Sequence, residues 1–179
     1  MKKIFLTFLL LAVVLGSTAA TTPRVSRSTL AAMEKSLDDR ISRLWQDNPF
    51  LLLGTTRGVY LDGYGAVFTA EVNLVANPVS LMQATLTKDD IAKHRQKKLE
   101  RIPVLTKALR DALVATAASL DTVPPEESIT IVAFLPHYSW EDISGVPAQI
   151  MVQGQKKKVL DAQHAGAAAL DAALRVSEN

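Results

Sequence analysis

Val59-Tyr60-Leu61-Asp62-Gly63-Tyr64-Gly65-Ala66-Val67-Phe68-Thr69-Ala70-Glu71-Val72-Asn73-Leu74 is the stretch that decides the fold. Asp62-Gly63 supplies the positive φ angles that a two-residue turn between strands demands. After the turn, Phe68, Ala70, Val72 and Leu74 alternate with Thr69, Glu71 and Asn73. A period of two gives a strand with one covered face and one wetter face. A β-hairpin is therefore predicted here.

Outward toward the N-terminus, Leu30, Met33, Leu37, Ile41 and Leu44 recur at steps of three and four, one face of a helix. Glu34, Asp38, Asp39 and Arg43 fill its other face, and Asn48-Pro49 stops it. Toward the C-terminus, Thr87-Lys88-Asp89-Asp90 resembles a capping box with Asp in place of Glu. A long helix follows, with Ile91, Ile102, Leu105, Leu109, Leu113 and Leu120 on a common face. Pro103 falls inside it, and a kink or break is expected between Lys98 and Pro103, because proline removes an intrahelical bond and clashes with the preceding turn.

Residues 129–135 are β-branched and aromatic, and read as a central strand. A polar loop occupies 136–147, and 148–153 alternates again with Ile150 and Val152 inward. Residues 156–176 read as an alanine-rich helix with Leu160, Gln163, Ala167, Leu170 and Leu174 on its face. The order α-β-β-α-β-β-α predicts a single α+β domain over residues 28–176. Its antiparallel sheet has about four strands and packs against amphipathic helices, with 177–179 as a tail. The order is loosely similar to that of small sheet-and-helix adaptor domains of the roadblock and longin type. That likeness is one of element order alone, and fold does not fix function.

The N-terminal end carries a different message. Lys2 and Lys3 precede an apolar run of 12 residues, 4–15, shorter than the roughly 20 that a bilayer crossing needs. Small residues then fill two cleavage frames, Ser17-Thr18-Ala19 and Thr18-Ala19-Ala20. A signal peptide is expected over residues 1–20, with a polar leader at 21–27 and a mature protein in a periplasm or outside the cell. Removing Lys2 and Lys3 from the 20 basic residues leaves 18, equal to the 18 acidic ones. A balanced chain offers no basic footprint for nucleic acid and no general pull toward anionic lipid. No second long apolar run follows, so no membrane span is expected after cleavage. With no cysteine, disulfides, thiolate metal sites and a cysteine nucleophile are excluded.

The chemically richest segment is the loop Pro136-His137-Tyr138-Ser139-Trp140-Glu141-Asp142. Aromatic residues beside charge are what binding surfaces collect, so His137, Tyr138, Trp140, Glu141 and Asp142 are the candidate binding residues. The plainer reading is a strand end whose aromatic rings cap the core with their tips in water. A small hydrolase is the alternative, with His137 as base, Ser139 or a water attacking, and Asp142 or Glu141 orienting the ring. A metal site is not expected, because four extended residues place His137 and Glu141 about 13 Å apart. No His-x-x-x-His spacing brings in His94 or His164. Among Gly54, Gly58, Gly63 and Gly65, the last two lead into a strand rather than a helix N-terminus and turns explain the set, so no phosphate cradle and no cofactor is expected. The basic residues at 93, 97 and 101 and the run Lys156-Lys157-Lys158 read as solvated surface, with Asp89 paired to Lys93.

The sequence thus predicts an exported, non-catalytic binding or protein-interaction module. A structural subunit of an envelope assembly is the further alternative. The partner is an unidentified envelope or extracellular protein, and the oligomeric state is left open.

Overall fold

The computed structural model describes residues 24–45, 51–76 and 86–179. The expected signal peptide, the first three residues of the leader and the Asn48-Pro49 stop lie outside these residues. Along the chain run α1 (Arg27–Ile41), β1 (Leu51–Leu52), β2 (Arg57–Leu61), β3 (Gly65–Asn73), α2 (Lys88–Ser119), β4 (Ser128–Phe134), β5 (Gln149–Gln155), α3 (Lys156–Ala165), α4 (Ala167–Ala173) and β6 (Arg175–Glu178).

The hairpin forms where Asp62-Gly63 puts it. β2 and β3 pair antiparallel with Val59 opposite Val67, but the turn is not the expected two-residue one. Leu61 pairs with Gly65, so Asp62, Gly63 and Tyr64 form it, and Gly63 takes φ +79° while Asp62 does not have positive φ. The helix starts also follow from local chemistry. The Ser26 hydroxyl accepts from the Thr29 N–H at 3.1 Å to cap α1. At α2 the expected capping box closes with aspartate: Thr87 N donates to Asp90 Oδ2 at 3.0 Å and Asp90 N to Thr87 Oγ1 at 3.1 Å. α2 then runs without a break through Pro103. The lost bond costs about 3 kcal/mol. Burying Ile102, Leu105 and Leu109 on either side offsets it, since each fully buried aliphatic side chain contributes roughly 1.5–3 kcal/mol.

The class is α+β in a single sheet, but the sheet is larger than the sequence suggests and not wholly antiparallel. β1 and β2 lie in tandem along one side of β3, and the order across is β1/β2, β3, β4, β5, β6, six strands in place of about four. β3 and β4 are parallel, from Gly65 opposite Ser128 to Glu71 opposite Phe134. The cause is α2, a crossover that returns the chain to the end of the sheet where β3 began. Gly65 permits the close approach: at φ +125° a Cβ there would lie 1.9 Å from the Ser128 carbonyl oxygen. At the other end the expected single helix over 156–176 stops at Gly166 (φ +102°), resumes as α4, and gives way to β6. Ser177 and Glu178, read from sequence as tail, pair with Met151 and Ile150 of β5.

All packing of helices is on one face. Ala66, Phe68, Ala70 and Val72 of β3, Ile129, Ile131 and Ala133 of β4, and Ile150 and Val152 of β5 are buried there. Leu37 and Ile41 of α1, Leu105, Leu109 and Leu113 of α2, and Val159 of α3 complete this core. On the opposite face the pairing register aligns Val59 with Val67, and Val132 with Met151, with Leu61 and Phe134 at its two ends. There Val59, Leu61 and Phe134 are 48%, 47% and 42% exposed, and no described helix covers them. The Tyr64 hydroxyl lies across this face against Thr130 Oγ1 and accepts from Gln153 Nε2, each at 3.2 Å.

Candidate functional site

The loop 136–147 folds back onto the first turns of α2, and the apolar stripe of α2 explains why charge is buried there. Leu113, Leu109, Leu105 and Ile102 follow at steps of four, four and three. Continued upstream at steps of four, that stripe reaches Lys98 and then His94. Both side chains point inward, and the loop supplies Glu141 to meet them. Side-chain exposures of His94, Lys98 and Glu141 are 4%, 3% and 1%. Lys98 Nζ is ion-paired to Glu141 Oε2 and approaches the Pro136 carbonyl at 3.5 Å. Glu141 Oε1 faces His94 Nε2 at 3.4 Å, and neither of these two buried atoms has a hydrogen-bond partner.

Aromatic rings close the cluster. Trp140 meets the His94 ring edge-on, 4.9 Å between centroids at 67°, and Tyr138 stacks on Trp140 at 5.9 Å and 9°. Beyond the rings, Asp142 Oδ1 accepts from Ser144 N at 2.9 Å, and Arg95 Nε donates to the Ser144 carbonyl at 2.6 Å. Arg95 also lies 3.7 Å from Asp142 Oδ2. Burial pushes His94 below its usual 6.5, against the opposing pull of Glu141. The hydrogen bonds from Ser144 hold the Asp142 carboxyl below its usual range.

Of the five residues selected from sequence, three are therefore fastened within the fold: Glu141 to Lys98, Asp142 to Ser144 and Arg95, and Trp140 to His94. His137 and Tyr138 are exposed. With Leu53, Asn73 and Pro136 they line a cavity of about 60 Å³. That is far below the roughly 300 Å³ at which small-molecule sites begin. Both carboxylates proposed to orient His137 hold other partners, Glu141 through Lys98 and Asp142 through Ser144 N. Sequence reading missed His94 and Lys98 as members of this cluster. Their place on the extrapolated apolar stripe was the available signal. The basic stretch also differs from its expected surface role: Arg101 is buried and donates to the Leu74 carbonyl, while Lys93 pairs with Asp89 at 2.6 Å as expected. Lys156 is buried as well, its Nζ donating to the Leu120 and Val123 carbonyls at 2.7 and 2.8 Å just beyond α2.

A second set of carboxylates, of which Glu34 and Glu127 are buried, holds the hairpin. Glu34 of α1 receives both Arg27 guanidinium nitrogens at 2.6 Å and the Gly58 N–H of β2 at 2.7 Å. Asp38 Oδ1 accepts from Thr56 N at 3.0 Å and from Thr56 Oγ1 at 2.5 Å. Glu127 Oε1 accepts from Tyr60 Oη at 3.2 Å and Gly63 N at 3.1 Å. α1 thereby occupies backbone groups at the free side of β2, a common way to block an edge strand.

Larger hollows lie between helices. One of about 620 Å³ lies between α1 and α2, beside Lys35, Asp39, Arg43 and Asp111. Another, of about 550 Å³, lies between α2 and α4, where Arg110 pairs with Asp171. Neither includes a residue of the 136–147 loop. No group of three or more His, Asp or Glu residues placed to hold a metal ion occurs among the described residues. No family model, no curated protein and no solved structure matches this chain.

Proposed function

We propose that this protein is an exported, non-catalytic module that binds a protein partner outside the cytoplasm through the uncovered face of its sheet. The carrying observation is the exposure of Val59, Leu61, Tyr64 and Phe134 at 42–48% on or across a face that no described helix covers. Single exposed apolar residues are ordinary, whereas several on one uncovered sheet face are a mark of interaction sites. Five strands abreast at about 4.8 Å, each about six residues long at about 3.3 Å per residue, make a face of roughly 20 by 20 Å. Such an area suits a small, transient protein interface and falls short of an obligate one.

The test is cross-linking in envelope extract with the native protein and with a Val59→Ser, Leu61→Ser, Phe134→Ser variant. The reading expects one protein adduct that the variant loses while its melting temperature stays within a few degrees. An adduct that persists in the variant removes the sheet face. Export has its own arm: the exported fraction should carry a mature chain starting at Thr21 by mass spectrometry, and an intact precursor as the accumulating form would refute it.

A further inference from the structure

The buried cluster that clamps the 136–147 loop leaves two of its polar atoms without a hydrogen-bond partner. Lys98 and Glu141 cancel in charge, and together with His94 they are all but sealed from water. The remaining atoms, Glu141 Oε1 and His94 Nε2, face one another without a hydrogen-bond partner. We propose that His94 makes the loop a pH-gated clasp: closed while the imidazole is neutral, released when it takes up a proton.

The sign follows from counting charges on every side of the ring. α2 presents Lys98 and Lys97 to it, the loop presents Glu141 alone, and the Trp140 ring occupies its edge. A proton on His94 leaves one carboxylate facing two buried cations. An uncompensated buried charge is costly, and opening the loop returns it to water. Glu141 gains a donor in exchange, but the loss of hydration is the larger effect on this ring, which is why its affinity for the proton is depressed. The closed state therefore holds fewer protons than the open one. Closure is favoured above the ordinary imidazole value of 6.5 and lost progressively as the pH falls below it. Once free, the loop takes Glu141 from Lys98 and Trp140 from His94. The strands stay paired, because the β4–β5 ladder from Ser128 opposite Gln155 to Phe134 opposite Gln149 does not pass through the cluster.

Trp140 reports the event, because it abuts the imidazole and an imidazolium quenches indole emission. With Trp45→Phe, Trp140 is the sole tryptophan. Between pH 8 and 5 its emission should change in one step with a midpoint below 6.5. In the same step the amides of 136–147 should exchange at least tenfold faster while those of β3–β5 stay protected. His94→Gln should abolish both changes, whereas His137→Gln and His164→Gln should leave them intact. Should the His94→Gln variant not fold, the His94 ring resonances of the native chain by NMR must titrate at the midpoint of loop exchange. The clasp is overturned by loop exchange that ignores pH over this range. It is also overturned by a step that survives His94→Gln, by a His94 midpoint separate from the loop's, or by strands that lose protection together with the loop.

Discussion

Two regions of this molecule are each held by a buried carboxylate, and they differ in how completely it is satisfied. At the β2 edge, Glu34 takes two bonds from Arg27 and one from Gly58 N. At the β4–β5 loop, Glu141 spends one oxygen on Lys98 and turns the other to an imidazole that gives it nothing. Glu34 also keeps contact with water through Arg27, whose side chain is 60% exposed, whereas all three members of the loop cluster are sealed. A satisfied carboxylate with a solvent-exposed partner fixes an edge. A sealed and incompletely satisfied one makes a contact that a single charge can upset.

The most forceful way to break this comparison is Lys98→Met. It strands the Glu141 carboxylate in the interior, and removing one partner of a buried pair costs about 3–5 kcal/mol. Urea unfolding should show that loss as a lower midpoint with an unchanged slope. Adding Glu141→Leu should recover much of it, because two apolar residues of similar volume avoid the desolvation of either charge. If the double variant is no more stable than the single one, the loop is held by its aromatic contacts instead.

The corresponding change at the edge should be milder. Glu34→Ala frees Arg27 into solvent at little cost and leaves the Gly58 N–H to find water, a loss of about 1–2 kcal/mol. Amide exchange should accelerate first in β2, with the loop unaffected. The two regions also differ in their response to acid. Arg27 holds the folded Glu34 below its usual 4.5, so its contribution is complete above 4.5 and fades as the pH falls through the lowered folded value. The His94 step starts two units higher, below 6.5. Loop exchange should thus rise before β2 exchange in any acid titration, and the reverse order would contradict the assignment of the two carboxylates.

How much of this was legible beforehand depended on the range of the interaction. Asp62-Gly63, the alternation from Phe68 to Leu74 and the Thr87–Asp90 cap act within a few residues, and each stands where the sequence indicates. β1 and β6 did not announce themselves. Leu51–Leu52 is too short to show a period, and the residues of β6 follow an alanine-rich helix with only Leu174 between. Both become strands because an existing strand offers them hydrogen bonds. The site was half legible. The loop drew notice for its composition, but Lys98 and Glu141 stand 43 residues apart. Only the position of Lys98 on the α2 stripe hinted that a buried acid must meet it. The uncovered sheet face is of the same kind, since the same period-two pattern is compatible with water or a partner on the second side.

The smallest predicted effect separates the loop's two acids. Asp142 is 46% exposed and organises a local turn through Ser144 N and Arg95, with no charge beneath it. Asp142→Ala should therefore cost about 0.5–1 kcal/mol, the worth of an exposed turn or cap bond. Faster amide exchange should be confined to Ser144 and Gly145, and the pH response of Trp140 should not move, because neither His94 nor Glu141 touches the altered group. A midpoint that shifts with Asp142→Ala would mean that the turn and the buried cluster open as one unit, and Glu141 would then share its hold on the loop with its neighbour.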